Sequence, residues 1–509
     1  MFTGGTAFVV GTALISSEEN ILAQQLTKEG VNPFVLTVNA HDGTFTIPLH
    51  GGGNAPDWIV DWGDNVITRV HYRSDAAHDY KTPGTYQIKI YPATAGTAKT
   101  ATASAWLLPY GFSAYDDTQP APAAGANSLA NRQKVIHVDG VIVPEMVGTA
   151  AELAAGKVGN GACEHWFCGC TNLTMSDTFT FAGWEKITEV GGGFCHGMFK
   201  FCSGNNFKMG SAFNLPQNIQ TIRSAGARYR YPNWNQVPAY AFCCAMFFGC
   251  SGSSFNMNKV FTLPQSLNMT GAWFCTGMFR DCSGDAFTMG AAFNLPQKIT
   301  HILPSDPSKM MGHVCESMFY NCKGAAFTMN SIFQTPQNLE HGWVQTFARM
   351  FFQCMGNAFT MNSLFTLPQN MQKAYSGLAY QMFQNCKGAA FTMNSVFKAP
   401  PNLALSVNGY NHLGFTFYGC GSKSGSAFQV NSVFVLPAVP QTHLNTTYGE
   451  DGTTIKNRGA YFQTFAGVTQ TQNRLAESII GTNPVPIASR ETFGTGFTDR
   501  DSIDANWRG

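Results

Sequence analysis

The chain carries fifteen cysteines and twelve histidines, and several of them stand close together. Five cysteine pairs share one spacing, C-x6-C: Cys163/Cys170, Cys195/Cys202, Cys243/Cys250, Cys275/Cys282 and Cys315/Cys322. His165, His196 and His313 each lie within two residues of a cysteine. Such residues can hold zinc, close a disulfide, or pair a thiolate with an imidazole. Zinc is disfavoured, because no Cys-x2-Cys pairs with a second such pair or with spaced histidines; Cys168/Cys170 in "GACEHWFCGC" stands alone. On a helix, seven residues rise about 10.5 Å, whereas the Cα atoms of a disulfide lie within about 7 Å. In later copies the first cysteine position holds Phe347, Ala379 or Leu413, all apolar. That pattern suits small buried side chains, with bridges between adjacent copies as the second reading. The three histidines sit at varying offsets and make no Cys–His catalytic set. There is no G-x-S-x-G, H-E-x-x-H or P-loop, and Gly51–Gly53 and Gly191–Gly193 lack the partners of a phosphate loop. No catalytic, cofactor-binding or metal residue is assigned.

What positions these residues is a repeat. Phe followed three residues later by Cys recurs at Phe167, Phe199, Phe247, Phe279, Phe319, Phe351, Phe383 and Phe417, with a degenerate copy at Phe465. The steps are 32, 48, 32, 40, 32, 32, 34 and 48 residues, so the unit is 32 residues with insertions. Fixed-period self-similarity is the signature of a solenoid. Within "MFQNCKGAAFTMNSVFKAPPNL", from Met382, the apolar spacing i−4, i, i+3 around the Phe predicts a short helix through "MFxxC". Gly ends it, "AFTM" suits a brief strand, and "LPQN" makes a turn. Such units bury their apolar faces only by stacking.

The line F-x-x-C…F-x-M…L-P-Q-N-L resembles the BspA-type leucine-rich repeat over about residues 163–467, with Phe and Met in many Leu and Ile places. The "MNSxF" segment is an addition to that family's unit. The resemblance implies a leucine-rich-repeat solenoid and a surface protein involved in adhesion.

Ahead of the repeats, "WIVDWGDNVITRV" and "HDYKTPGTYQIKIY" read as strands and turns. Trp62, Gly63, Asp64, His78, Tyr80, Pro83, Gly84 and Tyr86 resemble a PKD-type, immunoglobulin-like β-sandwich over about residues 31–95. The family usually has Gly after that Asp; Asn65 stands here and also tolerates a left-handed turn. The resemblance implies a spacer or docking module. Asp57, Asp61 and Asp64 could bind calcium, but solvated acids of a strand and turn are the favoured reading. The expected fold is therefore multidomain α+β. A 1–30 extension precedes a 31–95 β-sandwich and a 96–133 linker. A 134–162 cap then leads to 163–467 repeats and a 468–509 C-terminal cap.

Net charge is +1 and charged residues are 12%, so no basic field invites nucleic acid. The apolar stretch from Ala7 to Ile15 is too short to span a bilayer, and the first basic residue, Lys28, follows it. Insertions in stacked repeats map to one face, often the binding face. The longest, residues 221–240, holds Arg223 and the candidate binding surface Arg228, Tyr229, Arg230, Tyr231, Trp234 and Tyr240, suited to a sugar or a protein. A second spans residues 300–314. The alternative reading packs these loops over their own units.

The expected function is a non-enzymatic structural and adhesion protein of a phage virion: a tail, fibre or head-decoration component. A bacterial cell-surface adhesin is the alternative, and a glycan-acting enzyme a minor one. The expected location is the virion surface or extracellular space, or the bacterial surface. The expected partners are other virion or surface proteins, a host glycan or surface protein, and a second copy of the chain. Nucleic acid, a membrane span and cofactors are not expected.

Overall fold

The computed structural model describes residues 30, 32–47, 58–70, 73–92, 129–223, 241–303, 312–392, 396–400, 403–405, 412–420, 447–448 and 455–457. Strands prevail among them. The α-helix there is limited to two five-residue segments, α1 (Leu129–Gln133) and α2 (Ala150–Ala154). Thr149 and Glu152 close a reciprocal capping box on α2.

The N-terminal strands are β1 (Phe34–Ala40), β2 (Thr44–Thr46), β3 (Trp58–Asp61), β4 (Ile67–Val70), β5 (Ala77–Asp79) and β6 (Gly84–Pro92). β1 pairs antiparallel with β6, β6 with β3, and β3 with β4. β2 and β5 form a separate antiparallel pair. Leu36, Val38, Trp58, Val60, Trp62, Ile88 and Ile90 are fully buried at the centre of this module. On the other edge of β1 lies β7 (Val135–Ile142), antiparallel, with Leu36 opposite Val138. β7 also pairs in parallel with β9 (Thr174–Met175) and β10 (Thr180–Phe181), which belong to the first repeat unit. The strand expected to cap the repeats thus joins them to the N-terminal sheet. Phe34 reaches across the joint to Trp166, Phe167 and Phe179, at centroid separations of 5.3, 6.3 and 6.1 Å.

Each repeat unit contributes one short strand to a parallel row. The first row runs β8 (Lys157–Val158), β11 (Glu189–Gly191), β12 (Thr221–Arg223), β13 (Met269–Gly271) and β14 (His301–Leu303). The second runs β15 (His341–Gly342), β16 (Lys373–Ala374) and β17 (Ala404–Leu405). A further antiparallel pair, β18 (Thr447–Tyr448) and β19 (Ile455–Asn457), follows.

The helix expected at "MFxxC" is not there. In the units from Phe167 to Phe351, alternate residues before the Phe, and the second after it, have a left-handed backbone; Ala379 and Leu413 in the last two described units do not. In one unit the left-handed residues are His313, Cys315, Ser317 and Asn321 (φ 48°, 53°, 55° and 61°). A left-handed L-residue costs about 1–2 kcal/mol, so something must offset it. The amide of each unit's Phe reaches the next unit instead of its own helix. Phe319 N–H donates to Met350 O at 2.8 Å and Phe351 N–H to Met382 O at 2.9 Å. The residues between close one-turn bonds, such as Cys322 N–H to Phe319 O at 3.2 Å. Met and Phe, adjacent in sequence, are then both fully buried, as a one-sided helix would not allow.

Three long columns of Phe rings run through the stack, beside a shorter one of Phe194, Phe242 and Phe274. Phe167, Phe199, Phe247, Phe279, Phe319, Phe351, Phe383 and Phe417 stack face to face at 5.2–5.5 Å. A second column starts at Phe207 and a third at Phe179. Rings of the first and third columns meet edge to face within a unit, as for Phe351 and Phe365 at 5.6 Å and 85°. Each aromatic pair adds about 0.5–1.5 kcal/mol beyond the burial of its area. Glycines mark the tightest approach. A Cβ built on Gly252, Gly284, Gly324, Gly356 or Gly388 would collide with the carbonyl oxygen of the corresponding glycine one unit earlier.

"MNSxF" has a structural reason. Asn330 donates to Gly290 O and Phe293 O of the preceding unit (2.6 and 2.8 Å), and accepts from Ile332 N–H and Phe333 N–H of its own. Asn362 repeats the pattern one unit later. The glutamine of "LPQN" works similarly: Gln369 donates to Leu367 O at 2.7 Å, while its N–H meets Gln337 Oε1 at 3.3 Å.

Gly356→Ala is expected to destabilise the protein by about 1–3 kcal/mol, because backbone must move to admit the methyl group. At left-handed Gln353, Val should be less stable than Gly by about 1–2 kcal/mol. Urea denaturation of the three variants measures both effects. Phe34→Ala should cost about 3–5 kcal/mol and lower the melting of repeats and N-terminal module together; a drop confined to the module would contradict the shared joint.

Candidate functional site

The insertion residues Arg228, Tyr229, Arg230, Tyr231, Trp234 and Tyr240 lie outside the described residues, which stop at Arg223 and resume at Ala241. The stem at Arg223 is placed beside acids, 3.5 Å from Glu189 and 3.8 Å from Glu152. Most of the second insertion, residues 304–311, is likewise outside them, as is Asp57.

All fifteen cysteines are buried free thiols. The rise of a helix cannot be the reason, since no helix forms. The cysteine after each Phe instead faces the unit before it: Cys354 Sγ donates to Phe319 O at 3.1 Å and Cys386 Sγ to Phe351 O at 3.0 Å. Burial pushes the thiols of Cys202, Cys250, Cys282, Cys354, Cys386 and Cys420 well above the usual range. Without thiolate they are poor nucleophiles and poor ligands.

The histidines separate. His165 and His196 meet edge to face at 4.9 Å, while Glu164 lies 3.8 Å from His196. Glu164, His165 and Lys200 are each 1% exposed, and Arg132 donates to Cys168 O nearby. Burial first, then the positive neighbours His196, Lys200 and Arg132, holds His165 well below the ordinary imidazole range. A neutral, enclosed imidazole is a packing group of the joint. His313 stands elsewhere, 2.7 Å from Glu316, whose other oxygen lies 3.9 Å from Arg349.

In the N-terminal module, the residues read as one motif come together. His78 lies 2.8 Å from Asp64 and stacks on Trp62 at 4.9 Å. Tyr80 donates to Trp62 O and stacks on Tyr86. Asn65 has φ 69°. Asp61 accepts from Gly63 N–H and Asp64 from Val66 N–H, so both acids shape the turn.

The outward chemistry lies in a column missed in the sequence: the residue that follows each unit's Phe. Lys200 Nζ sits 5.1 Å from the rings of Phe201 and Phe248. Arg280 lies between Phe248 (5.4 Å) and Tyr320 (4.7 Å), and Tyr320 stacks on Phe352 at 4.8 Å. Lys200, Phe248, Arg280, Tyr320 and Phe352 thus run over five successive units, all but Lys200 partly or fully exposed. Reading down the position after each Phe would have found them. Tyr320 and Phe352 stack face to face and Arg280 lies over the rings of Phe248 and Tyr320, so these ring faces are already occupied. That suits a protein surface better than the face of a sugar. A groove of about 360 Å³ is lined by Thr300, Asn338, Glu340, Gln369, Asn370, Met371 and Gln372. Its amides already serve the stack, as in Asn370 Nδ2 to Asn338 Oδ1 at 3.3 Å.

No family model, no curated protein and no solved structure matches this chain. Among the described residues no helix is long and apolar enough to cross a membrane.

Two pH dependences follow. His165 has a lowered pKa in the fold, so the unfolded chain binds the extra proton as pH falls below 6.5. Stability should drop by about 1.4 kcal/mol per pH unit below that value until the folded pKa is reached. His165→Gln should flatten this slope in melts between pH 7.5 and 5.5. The raised thiols act in the other direction. Their stabilisation is complete below 9.0 and is lost above it, by about 1.4 kcal/mol per pH unit for each thiol. A melting temperature unchanged from pH 8 to 10 would contradict the buried thiol column.

Proposed function

We propose that this protein is a non-enzymatic structural and adhesion component: a leucine-rich-repeat solenoid of the BspA type behind an immunoglobulin-like, PKD-type β-sandwich. Parallel strands at steps of 32 residues and stacked Phe columns support the solenoid. The antiparallel pairs and the Trp62–His78–Tyr80 cluster support the β-sandwich. The sheet shared through β7 supports a close joint between module and repeats.

The observation that carries the functional reading is the aromatic–cation column. It gives a stiff stack an outward strip of arginine and aromatic edges, the side chains that dominate protein contacts. The reactive groups described above face inward or serve the stack, which favours a binding role over catalysis. Attachment then runs through this column together with the loop holding Arg228, Tyr229, Arg230, Tyr231, Trp234 and Tyr240.

The setting we favour is a phage virion, in its tail, fibre or head decoration. Fifteen unbridged thiols suit a protein that folds in a reducing cytoplasm, where virion components assemble, before reaching the outside. A bacterial surface adhesin is the second reading, favoured by the repeat's resemblance. Density-gradient fractionation of a lysed producing culture separates the two: co-banding with particles supports the virion, and co-banding with cell envelopes supports the adhesin.

Replacing Arg280 and Tyr320 together with Ser is expected to weaken incorporation or attachment about tenfold or more. Stability should change by only about 1 kcal/mol, because both side chains are partly exposed. Tyr231→Ala with Trp234→Ala should act in the same direction. Unchanged attachment in both double variants would defeat the proposed contact surface.

A further inference from the structure

Among the described residues, the buried side chains that carry a formal charge are Arg132, Glu164 and Lys200. All three gather around His165, where the N-terminal module meets the first repeat units. Burying charge is costly, and the joint beside them is otherwise packed from aromatic rings. Lys200 Nζ is held 5.1 Å from the rings of Phe201 and Phe248. The Arg132 guanidinium lies against Gly169, where a Cβ would come within 2.3 Å of Nη1. The His165 ring lies against Gly197, where a Cβ would come within 2.2 Å of Cδ2. The imidazole is thus sealed among fixed charges.

We propose that this cluster is an acid-sensitive latch: a proton on His165 unseats α1 from the end of the repeat stack and loosens the joint with the N-terminal module. The charge count gives the direction. Arg132 comes from α1, Glu164 from the first unit, His196 and Lys200 from the second. With His165 neutral, two cations stand with one carboxylate. A proton on His165 adds a third positive charge, and one on His196, 4.9 Å away, adds a fourth. The thiols of Cys168 and Cys170 beside Arg132 are neutral and offset none of this. Position decides what gives way. The histidines are tied into the ladder between units: His165 N–H donates to His196 O at 2.8 Å and Cys195 N–H to Ala162 O at 2.9 Å. Arg132 is the cation that lies outside the stack. It sits on a helix of five residues, too short to persist by itself. Two bonds tie that helix to the first unit, Arg132 Nη1 to Cys168 O at 3.0 Å and Asn172 Nδ2 to Gln133 O at 2.9 Å. On the module side, Asn131 Nδ2 donates to Thr46 O at 2.9 Å and Lys134 lies 2.6 Å from Asp42. Lys134 holds the Asp42 carboxyl below its usual range, so that pair does not respond in mild acid. α1 therefore bridges module and stack, and expelling Arg132 opens the bridge. The closed joint binds the extra proton poorly, whereas an opened joint binds it as an ordinary imidazole does. Opening should grow about tenfold for each pH unit below 6.5. The latch works in the same way whatever the outward column binds.

Thiol labelling of the full chain at pH 7.5 and pH 5.0 tests it. The probe is 4,4′-dithiodipyridine, each rate is divided by that of the urea-unfolded chain at the same pH, and mass mapping reads each site. Cys168 and Cys170, beside Arg132, should label about thirtyfold faster at pH 5.0. Cys282 and Cys354, inside the stack, should stay protected at both. His165→Gln or His165→Phe should remove the acid rise at Cys168. Labelling of Cys168 that does not change with pH overturns the latch. Cys282 and Cys354 labelling in step with Cys168 also overturns it, because acid would then be unfolding the stack as a whole. A rise that persists in a folded His165 variant does the same.

Discussion

The hydrogen bond from each unit's Phe amide to the next unit's Met carbonyl sets the geometry of the rest. It recurs at 2.8–2.9 Å from Phe167 to Phe351, and Phe383 makes the same bond to Thr416 O at 2.8 Å. It fixes how far apart equivalent atoms lie, and that distance is close enough for flat rings to stack. It also carries each thiol to a carbonyl of the unit before, and it leaves room at the following turn for glycine alone. The strained left-handed residues are the cost of turning those amides outward from their own unit. Once they are turned, Phe, Cys, Gly, Asn and Gln each form a column of their own.

This explains why so little of the sequence varies at those positions and why the remainder is free to vary. A residue facing its own copy in the next unit must fit itself. Phe fits itself by stacking, Asn and Gln by joining amide to carbonyl, Gly by taking no space. Charged residues do not fit themselves, and they are scarce in the stack. Where the position faces outward, as in the column holding Phe248, Arg280, Tyr320 and Phe352, neighbours differ and Arg280 sits between two rings.

The period, the phase of the repeat and the buried state of its cysteines were legible, because they depend on spacing and residue type. The Trp62, His78, Tyr80 and Tyr86 cluster was legible too, since its turn chemistry is local. The backbone of "MFxxC" was not. Apolar residues at i−4, i and i+3 fit a helix, yet the ribbon found here buries the same positions. Deciding between them requires knowing that an amide partner waits in the next unit, and a single unit does not contain that information. For the same reason "MNSxF" read as an addition: the asparagine's partners, such as Gly290 and Phe293, lie 40 and 37 positions back. The sheet formed through β7 depends on a pairing about 100 residues apart, between Leu36 and Val138, which no local pattern encodes.

The glycine column also bears on mechanical behaviour. Each glycine rests on the one before it, and among the described residues the backbone hydrogen bonds between units join immediate neighbours. Tension applied to the two ends of such a stack is carried by every seam, and the seams give way one after another. The chain would lengthen by one unit's worth of residues per rupture, while the seams behind the break keep their full strength. A stack of this kind absorbs a sudden pull as a series of small yields.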